Sequence, residues 1–365
     1  MRVGIAGAGS IAFGTAALLA QNGHDPMLWS PSGAGTADLA AGGTLTATGA
    51  VEHVCTPRIA DSARALADND ALIIALPAYG HKAVFDALAP HIRGGQPVIV
   101  SSHASFGAVY LAGLLAGRGI TAPITAWGTT VVTGRRQSGT EMKVNTVRSL
   151  VDLCTVPDNA SEAGLHLCQT LFGDRFQPRA GLLAISLSNL NPQNHMGIAL
   201  GNMTRMERGE VWSQGENVTP NVGRLLEALD AERLAIAAAL GLEVRTIFEH
   251  FHLSFHVPVA SISQMNQQMH AMGNGGIGPA TADSRYVTED VPYGLALTVV
   301  LGALAGVPAL LHEAGIRVFS SLYGRDFMAE NELLNALDLA RFGLDDLQQA
   351  ARTGLLPQDA TQKAS

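Results

Sequence analysis

The stretch "GIAGAGSIAFG", residues 4–14, decides the fold. Two readings compete for it. It suits the apolar middle of a secretion signal, with Arg2 ahead of it and small residues throughout. It equally suits a loop whose glycines let a dinucleotide approach the backbone. Its surroundings separate the two. "MRVGIAG" is a short apolar run with Val3 and Ile5, fit for a parallel strand buried on both faces. "IAFGTAALLAQNGH" is an apolar helix that stops at Gly23, and "DPMLWS" supplies a second strand. The glycines therefore stand between a strand and a helix inside a βαβ unit. They read Gly7-Ala8-Gly9-Ser10-Ile11-Ala12, the G-x-G-x-x-A form of the dinucleotide fingerprint. Gly7 permits the tight turn and Gly9 a close approach to the pyrophosphate. Ala12 lets the helix pack on the strands, while the N–H groups of the first turn, from Ser10 and Ile11 on, face the phosphates.

The end of the second strand chooses the dinucleotide. An acidic residue there holds the ribose 2′-OH of NAD, and its absence leaves room for a 2′-phosphate. Here the strand runs into "LWSPSGAGT", with Ser30, Ser32 and Thr36, no carboxylate, and no arginine before Arg58. Asp38 lies too far along to replace the missing acid. NADP(H) is therefore favoured, with NAD(H) as the alternative.

Strand–loop–helix alternation continues through "DNDALIIALPAYGHKAVFDALAPHI" and "GGQPVIVSSHASFGAVYLAGLLAGRG". This pattern predicts a doubly wound parallel sheet whose ligand lies beyond the carboxyl ends of its strands. Strands are expected over Ala71–Leu76 and Val98–Ser101, which brings Pro77, Ala78 and His103 to the site. His103 also reads as a loop histidine bonded to its own neighbours. The β-branched runs on either side of "GRRQSG" suit a hairpin at the far edge of that sheet. "SEAGLHLCQTLFG" is a short helix ending at Gly173, and the domain is expected to close near Pro178, giving domains 1–178 and 179–365.

Composition narrows the function. A net charge of −8 leaves no basic face for nucleic acid. Cys55, Cys154 and Cys168 are odd in number and lack CxxC spacing, so they read as buried thiols in a reducing compartment, and the protein as cytoplasmic. Residues 291–311, "VPYGLALTVVLGALAGVPALL", carry no charge and have the length of a membrane span. Pro292, Gly294, Gly302, Gly306 and Pro308 interrupt them and basic flanks are missing. They are read as a helix buried on all sides, in a domain core or a homodimer interface, and no membrane is expected.

From Gly181 on, helical signals dominate. "AGLLAISLSNLNPQNHMGIALGNMTRME" reads as one long apolar helix with Asn189, Asn191, Asn194 and His195 in its middle and a kink at Pro192. Buried polar side chains are costly unless paired, so these need a reason. Asn191 and His195, spaced i, i+4, share a face. They fit a site, or a satisfied core histidine with a capping asparagine. The following helix puts Glu227, Asp230 and Glu232 on its expected solvent side. His250, His252, His256 and His270 invite a metal, but no carboxylate or cysteine joins them at ligand spacing, so none is expected. In "GIGPATADSRYVTEDVPYGLA", Arg285 suits a substrate carboxylate gripped by two parallel hydrogen bonds. Asp290 suits a carboxylate that orients a histidine, or a helix N-terminal acid.

Taken together, the fingerprint, "SNLNPQNHMG" and "SRYVTEDVPYGL" resemble the octopine/nopaline (opine) dehydrogenase family along essentially the whole chain. The resemblance implies a Rossmann domain followed by an all-helical one. It also implies reductive condensation of an amino-acid amine with a 2-keto acid by NAD(P)H. On this sequence it assigns His195 and Asp290 as the catalytic pair and Arg285 to the keto acid. Asn191 and His103 fall to substrate binding. Some members of the family carry glutamine near the position of His103, a departure that leaves the amino acid open. A ketopantoate-type reductase without amine condensation is the alternative, and a non-enzymatic dinucleotide sensor a more distant one.

Overall fold

The computed structural model describes residues Met1–Pro357. The chain forms two compact units, one from Met1–Ser186 together with the segment from Asp345 on, the other from Leu187–Leu344. The division thus falls after Ser186 rather than near Pro178. Residues 345–357 return to the first unit, where a second domain over 179–365 was expected, and residues 358–365 of that expectation lie outside the described residues.

In the first unit, strands β1 (Arg2–Ala6), β2 (Asp25–Trp29), β3 (Leu45–Gly49), β4 (His53–Cys55), β5 (Arg58–Ile59) and β6 (Ala71–Ile74) come first. They are followed by β7 (Val98–Val100), β8 (Ile124–Trp127), β9 (Val132–Arg136), β10 (Glu141–Val147), β11 (Val151–Val156) and β12 (Phe176–Pro178). The main sheet runs β12-β11-β8-β7-β6-β1-β2-β5. β1 pairs in parallel with β2 on one side and β6 on the other, with Ile5 opposite Leu28 and Ile73. Strand order therefore reverses at β1, and the glycine loop leaves β1 at this switch point, where ligands of open α/β sheets bind. The far edge is mixed, because β11 lies antiparallel to β8.

The hairpin around "GRRQSG" does form, but it is not at that edge. β9 and β10 belong to a second sheet of order β4-β3-β10-β9. The physical reason lies in the first helix, Ser10–Gln21. This helix is buried over the unbroken run Ala12–Leu19, because it has apolar neighbours on both sides. A Cβ on Gly14 would come 3.1 Å from Val132 and 3.4 Å from Met142, so this position of the helix rests directly on the second sheet. The apolar residues Met142 and Val144, alternating along β10, turn to the buried face.

The second unit is helical. The long helix expected from residue 181 is two, Leu182–Ser188 and Asn191–Glu207, with the break ahead of Pro192. Proline is tolerated in a first turn, so the chain restarts there instead of kinking. Helix Pro220–Ala239 holds its neighbours by their ends. Glu227 accepts from the N–H of Ile262, Asp230 from that of Ile247, and Glu232 from those of Leu311 and His312. Each bond satisfies donors that a helix start leaves open and sets a negative charge at its positive end. Asp230 is thus buried rather than on the solvent side, and Arg233 bonds it through Nε and Nη2. Residues 291–311 are likewise not one helix. A π-helical turn, Val291–Leu295, leads into Ala296–Leu304, Gly306 follows in the left-handed region at φ 71°, and a new helix opens at Leu310. By length and composition alone Arg285–Leu304 could cross a membrane, and over half of it is packed inside the protein.

Candidate active site

The glycine loop after β1 makes the tight turn its sequence implies. Gly7 has φ 136°, and a Cβ there would sit 2.2 Å from the Ala75 carbonyl oxygen. Only glycine makes this turn. Gly9 faces open space, with nothing within 4 Å of where a Cβ would be. It caps the first helix without any side-chain cap, and no acidic residue enters the first turn, so the N–H groups from Ser10 and Ile11 onward remain for an anion. Ala12 is fully buried. These residues fit a dinucleotide pyrophosphate.

Ser30 and Ser32 follow β2, their hydroxyl oxygens 3.4 Å apart. A residue far along the chain reaches the loop that follows them, at Gly35. Arg136, the last residue of β9, donates from Nη1 to the carbonyls of Ala8 (2.7 Å) and Gly35 (3.0 Å), and its backbone N–H donates to Ser10 Oγ (3.1 Å). Pro77 is exposed at the turn after β6. His103, after β7, is buried and held by its own loop: Nε2 accepts from the Ala108 N–H, and the ring meets Phe106 edge-on. Ser102, Ser105 and Phe106 around it all have positive φ. Burial pushes His103 down to about 3, helped by the neighbouring His81, which burial itself lowers to about 4. Both rings stay neutral at physiological pH.

In the second unit the structure brings together residues far apart in sequence. His195, one turn into its helix, meets Asp290 through Nδ1···Oδ2 at 2.7 Å, both side chains largely buried. The carboxylate can only accept, so Nδ1 carries the proton and Nε2 presents its lone pair. Tyr286 stacks on the imidazole, ring centres 3.6 Å apart and planes 10° from parallel. Its hydroxyl donates to Gln214 Oε1 at 2.6 Å, and burial raises it to about 12, so it remains a neutral phenol. The ring is thus fixed at an edge and over a face. Tyr286 lies between Arg285 and Asp290 in the sequence, and its spacing four residues before Asp290 is the signal that would have found it.

The backbone explains the pairing. Asp290 immediately precedes the π-helical turn, a distortion frequent at functional sites. A Cβ on Gly294 in that turn would meet the Pro192 ring at 2.2 Å. The turn therefore packs directly on the start of the helix that carries His195. Arg285, 60% exposed, is paired with Glu289 one turn on at 3.8 Å, beyond hydrogen-bond distance. Asn191 is exposed, its N–H bonded to Asn189 Oδ1. The clustered histidines are spent elsewhere: His252 Nδ1 lies 2.8 Å from the Val257 carbonyl and His270 Nδ1 2.8 Å from Ser213 Oγ. Among the described residues no three potential metal ligands stand together.

A histidine paired with a carboxylate in one unit, and a glycine loop fit for a dinucleotide in the other, suit the class of NAD(P)-dependent oxidoreductases. Comparison with known proteins narrows it. The family model for the NAD/NADP octopine/nopaline dehydrogenase α-helical domain matches residues 178–323, and that for ketopantoate reductase PanE/ApbA matches residues 3–102. An opine dehydrogenase from Arthrobacter sp. (strain 1C) is 30% identical over 346 residues, 92% of this chain and 94% of its own. Octopine dehydrogenase, solved with NADH and L-arginine, superposes with a TM-score of 0.77 at 17% identity, covering 100% of this chain and 98% of its own. Yersinopine dehydrogenase with NADP+ bound gives 0.69 at 17% identity, over 100% and 99%. The chain belongs to the octopine/nopaline dehydrogenase family, NAD(P)-dependent enzymes that join an amino-acid amine to a 2-keto acid by reductive condensation.

Proposed function

We propose that His195 and Asp290 form the catalytic pair of this reaction and that NADPH is the preferred reductant. The 2.7 Å bond between the two side chains carries the first assignment. An amino acid arrives as an ammonium, which is not nucleophilic. His195 Nε2 takes its proton, and the free amine adds to the keto carbon. The imidazolium, balanced by Asp290, then returns the proton to the carbinolamine hydroxyl, which leaves as water. A coenzyme held at the Gly7–Ala12 loop would supply the hydride that reduces the resulting imine. Arg285 grips the keto-acid carboxylate in two parallel hydrogen bonds, and Asn191 orients substrate from the helix of His195. His103, turned into its own loop, influences the substrate through the shape of that loop.

The missing acid after β2 supports NADP(H) over NAD(H). Three unpaired thiols support a cytoplasmic location, and the exposed Leu311, Val318 and Leu322 on helix Leu310–Tyr323 support a homodimer. A matrix of amino acids against pyruvate, glyoxylate and 2-oxoglutarate, followed by coenzyme absorbance, tests the reaction. Oxidation is expected only when amine and keto acid are both present. Equal oxidation with a keto acid alone would establish the plain reductase instead. Arg285→Gln should raise the keto-acid KM by about 10- to 100-fold, the worth of a charged hydrogen bond, and leave coenzyme affinity unchanged.

A further inference from the structure

The loop after β2 lacks a cation of its own, and the first arginine beyond it cannot serve. Arg58 is committed at the opposite end of β2, with Nε on Asp25 at 3.0 Å and Nη2 on Asn69 Oδ1 at 2.7 Å. Arg136 comes instead from the second sheet, a hundred residues downstream of the loop it touches. Its Nη1 bridges the fingerprint (Ala8) and the loop (Gly35), its Nε donates to Ser138 O at 3.1 Å, and its guanidinium lies 4.3 Å over the Phe13 ring. Those bonds occupy Nε and Nη1 and leave the two N–H groups of Nη2 uncommitted.

The charge is equally unspent. Among the described residues no carboxylate pairs with Arg136. Asp38, the acid of that neighbourhood, is pressed against the backbone of Gly139. An arginine aligned on neutral carbonyls, with open donors and no counter-ion, is prepared for an anion from outside the chain. In a fold of this type the adenosine ribose lies between the fingerprint and the end of the second strand. Ala8 and Gly35, the two groups that Arg136 bridges, belong to those two segments.

We propose that Arg136, with Ser30 and Ser32, reads the 2′-phosphate of the coenzyme. This rests on the preference for NADPH stated above and names the residue that confers it. The test measures binding, by titrating the holo-competent full chain with NADPH and NADH and following tryptophan fluorescence. Wild type should bind NADPH more tightly. Arg136→Gln, whose amide can still donate to a loop carbonyl, should lose about 10- to 100-fold in NADPH affinity and change NADH affinity less than about threefold. Arg136→Lys should keep most of the preference. On the wild type, phenylglyoxal labelling of Arg136, read by peptide mass, should be blocked by 2′-phospho-ADP-ribose and not by ADP-ribose; this arm holds even if a variant fails to fold. Equal losses for both coenzymes, or labelling shielded equally by both ligands, would make Arg136 a loop clamp and overturn the assignment while leaving the NADPH preference standing. A wild type that binds NADH as tightly as NADPH would overturn the preference itself and the assignment with it.

Discussion

At the residue scale, the catalytic proposal depends on which imidazole nitrogen holds the proton. Asp290 can only accept from Nδ1, which leaves Nε2 free to act. Asp290→Asn offers a donor in the same place and favours the wrong tautomer. We expect kcat to fall about 100-fold or more, as for His195→Ala, with coenzyme affinity unchanged. Steady-state kinetics beside coenzyme titration checks this, and a matching loss of coenzyme affinity would speak against it. His81 and His103 set a different dependence. Burial lowers both, to about 4 and about 3, against 6.5 for a free histidine. Below pH 6.5 the unfolded chain therefore binds protons that the folded chain refuses, so stability is full above that pH and declines as pH falls toward 4 and 3. At pH 5 each ring should cost about 2 kcal/mol. Urea unfolding at pH 7.5 and pH 5 should show this loss, and His103→Gln should remove about half of it. In the sequence His195 stood out because a polar residue in an apolar helix demands a reason, Arg285 and Asp290 as charges ahead of an uncharged stretch, and only the family resemblance joined the three. The sequence could not show that His103 turns inward, since a loop histidine looks the same from either side.

At the element scale, the legible features were those with a local cause. The strand, glycine turn and helix of residues 2–21 follow from periodicity and from the backbone angles that glycine allows. The β9–β10 hairpin was legible, but the sheet it joins was not, because the other partner of β10, β3, lies about a hundred residues away and that pairing leaves no mark in either strand. The sheet's trace was indirect: a first helix apolar on every side needs cover on every side. The acids of helix Pro220–Ala239 misled for a related reason. A carboxylate that caps another helix is written like one that meets water. Gly294 shows how an element delivers a side chain, since its bare Cα lets the π-helical turn rest on Pro192 and so fixes Asp290 opposite His195. Gly294→Ala must push the two elements apart. Overpacking of this kind costs about 1–3 kcal/mol, and the displaced pair should lower kcat at least about tenfold. Thermal unfolding and kinetics on the same preparation check both. A variant that loses stability but keeps full kcat would show that the contact does not position the pair.

At the scale of the whole molecule, the chain leaves its first unit after Ser186 and comes back to it at Asp345, so the helical unit is an insertion. The return segment is part of the dinucleotide unit's core. Leu347, Ala350, Ala351 and Leu356 are buried, Gly181 meets the Ala351 carbonyl, and Gly354 packs on Val156 and Ala112. None of this could be read from the order of elements, because a short amphipathic helix after many helices looks like one more of them. The consequence concerns coenzyme binding. Leu356 is remote in sequence from every residue of the fingerprint and from His195, yet its apolar surface belongs to the unit that holds the dinucleotide. Leu356→Ala should cost about 2–4 kcal/mol, the usual price of a buried leucine cavity. That loss should fall on the first unit. In denaturant, coenzyme binding is expected to disappear at a lower concentration than in the wild type. The ring signals of His195 and Tyr286, resolved by NMR in the same denaturant series, should keep their midpoint if the units unfold separately. A midpoint that moves equally for both signals would show instead that the two units unfold as one.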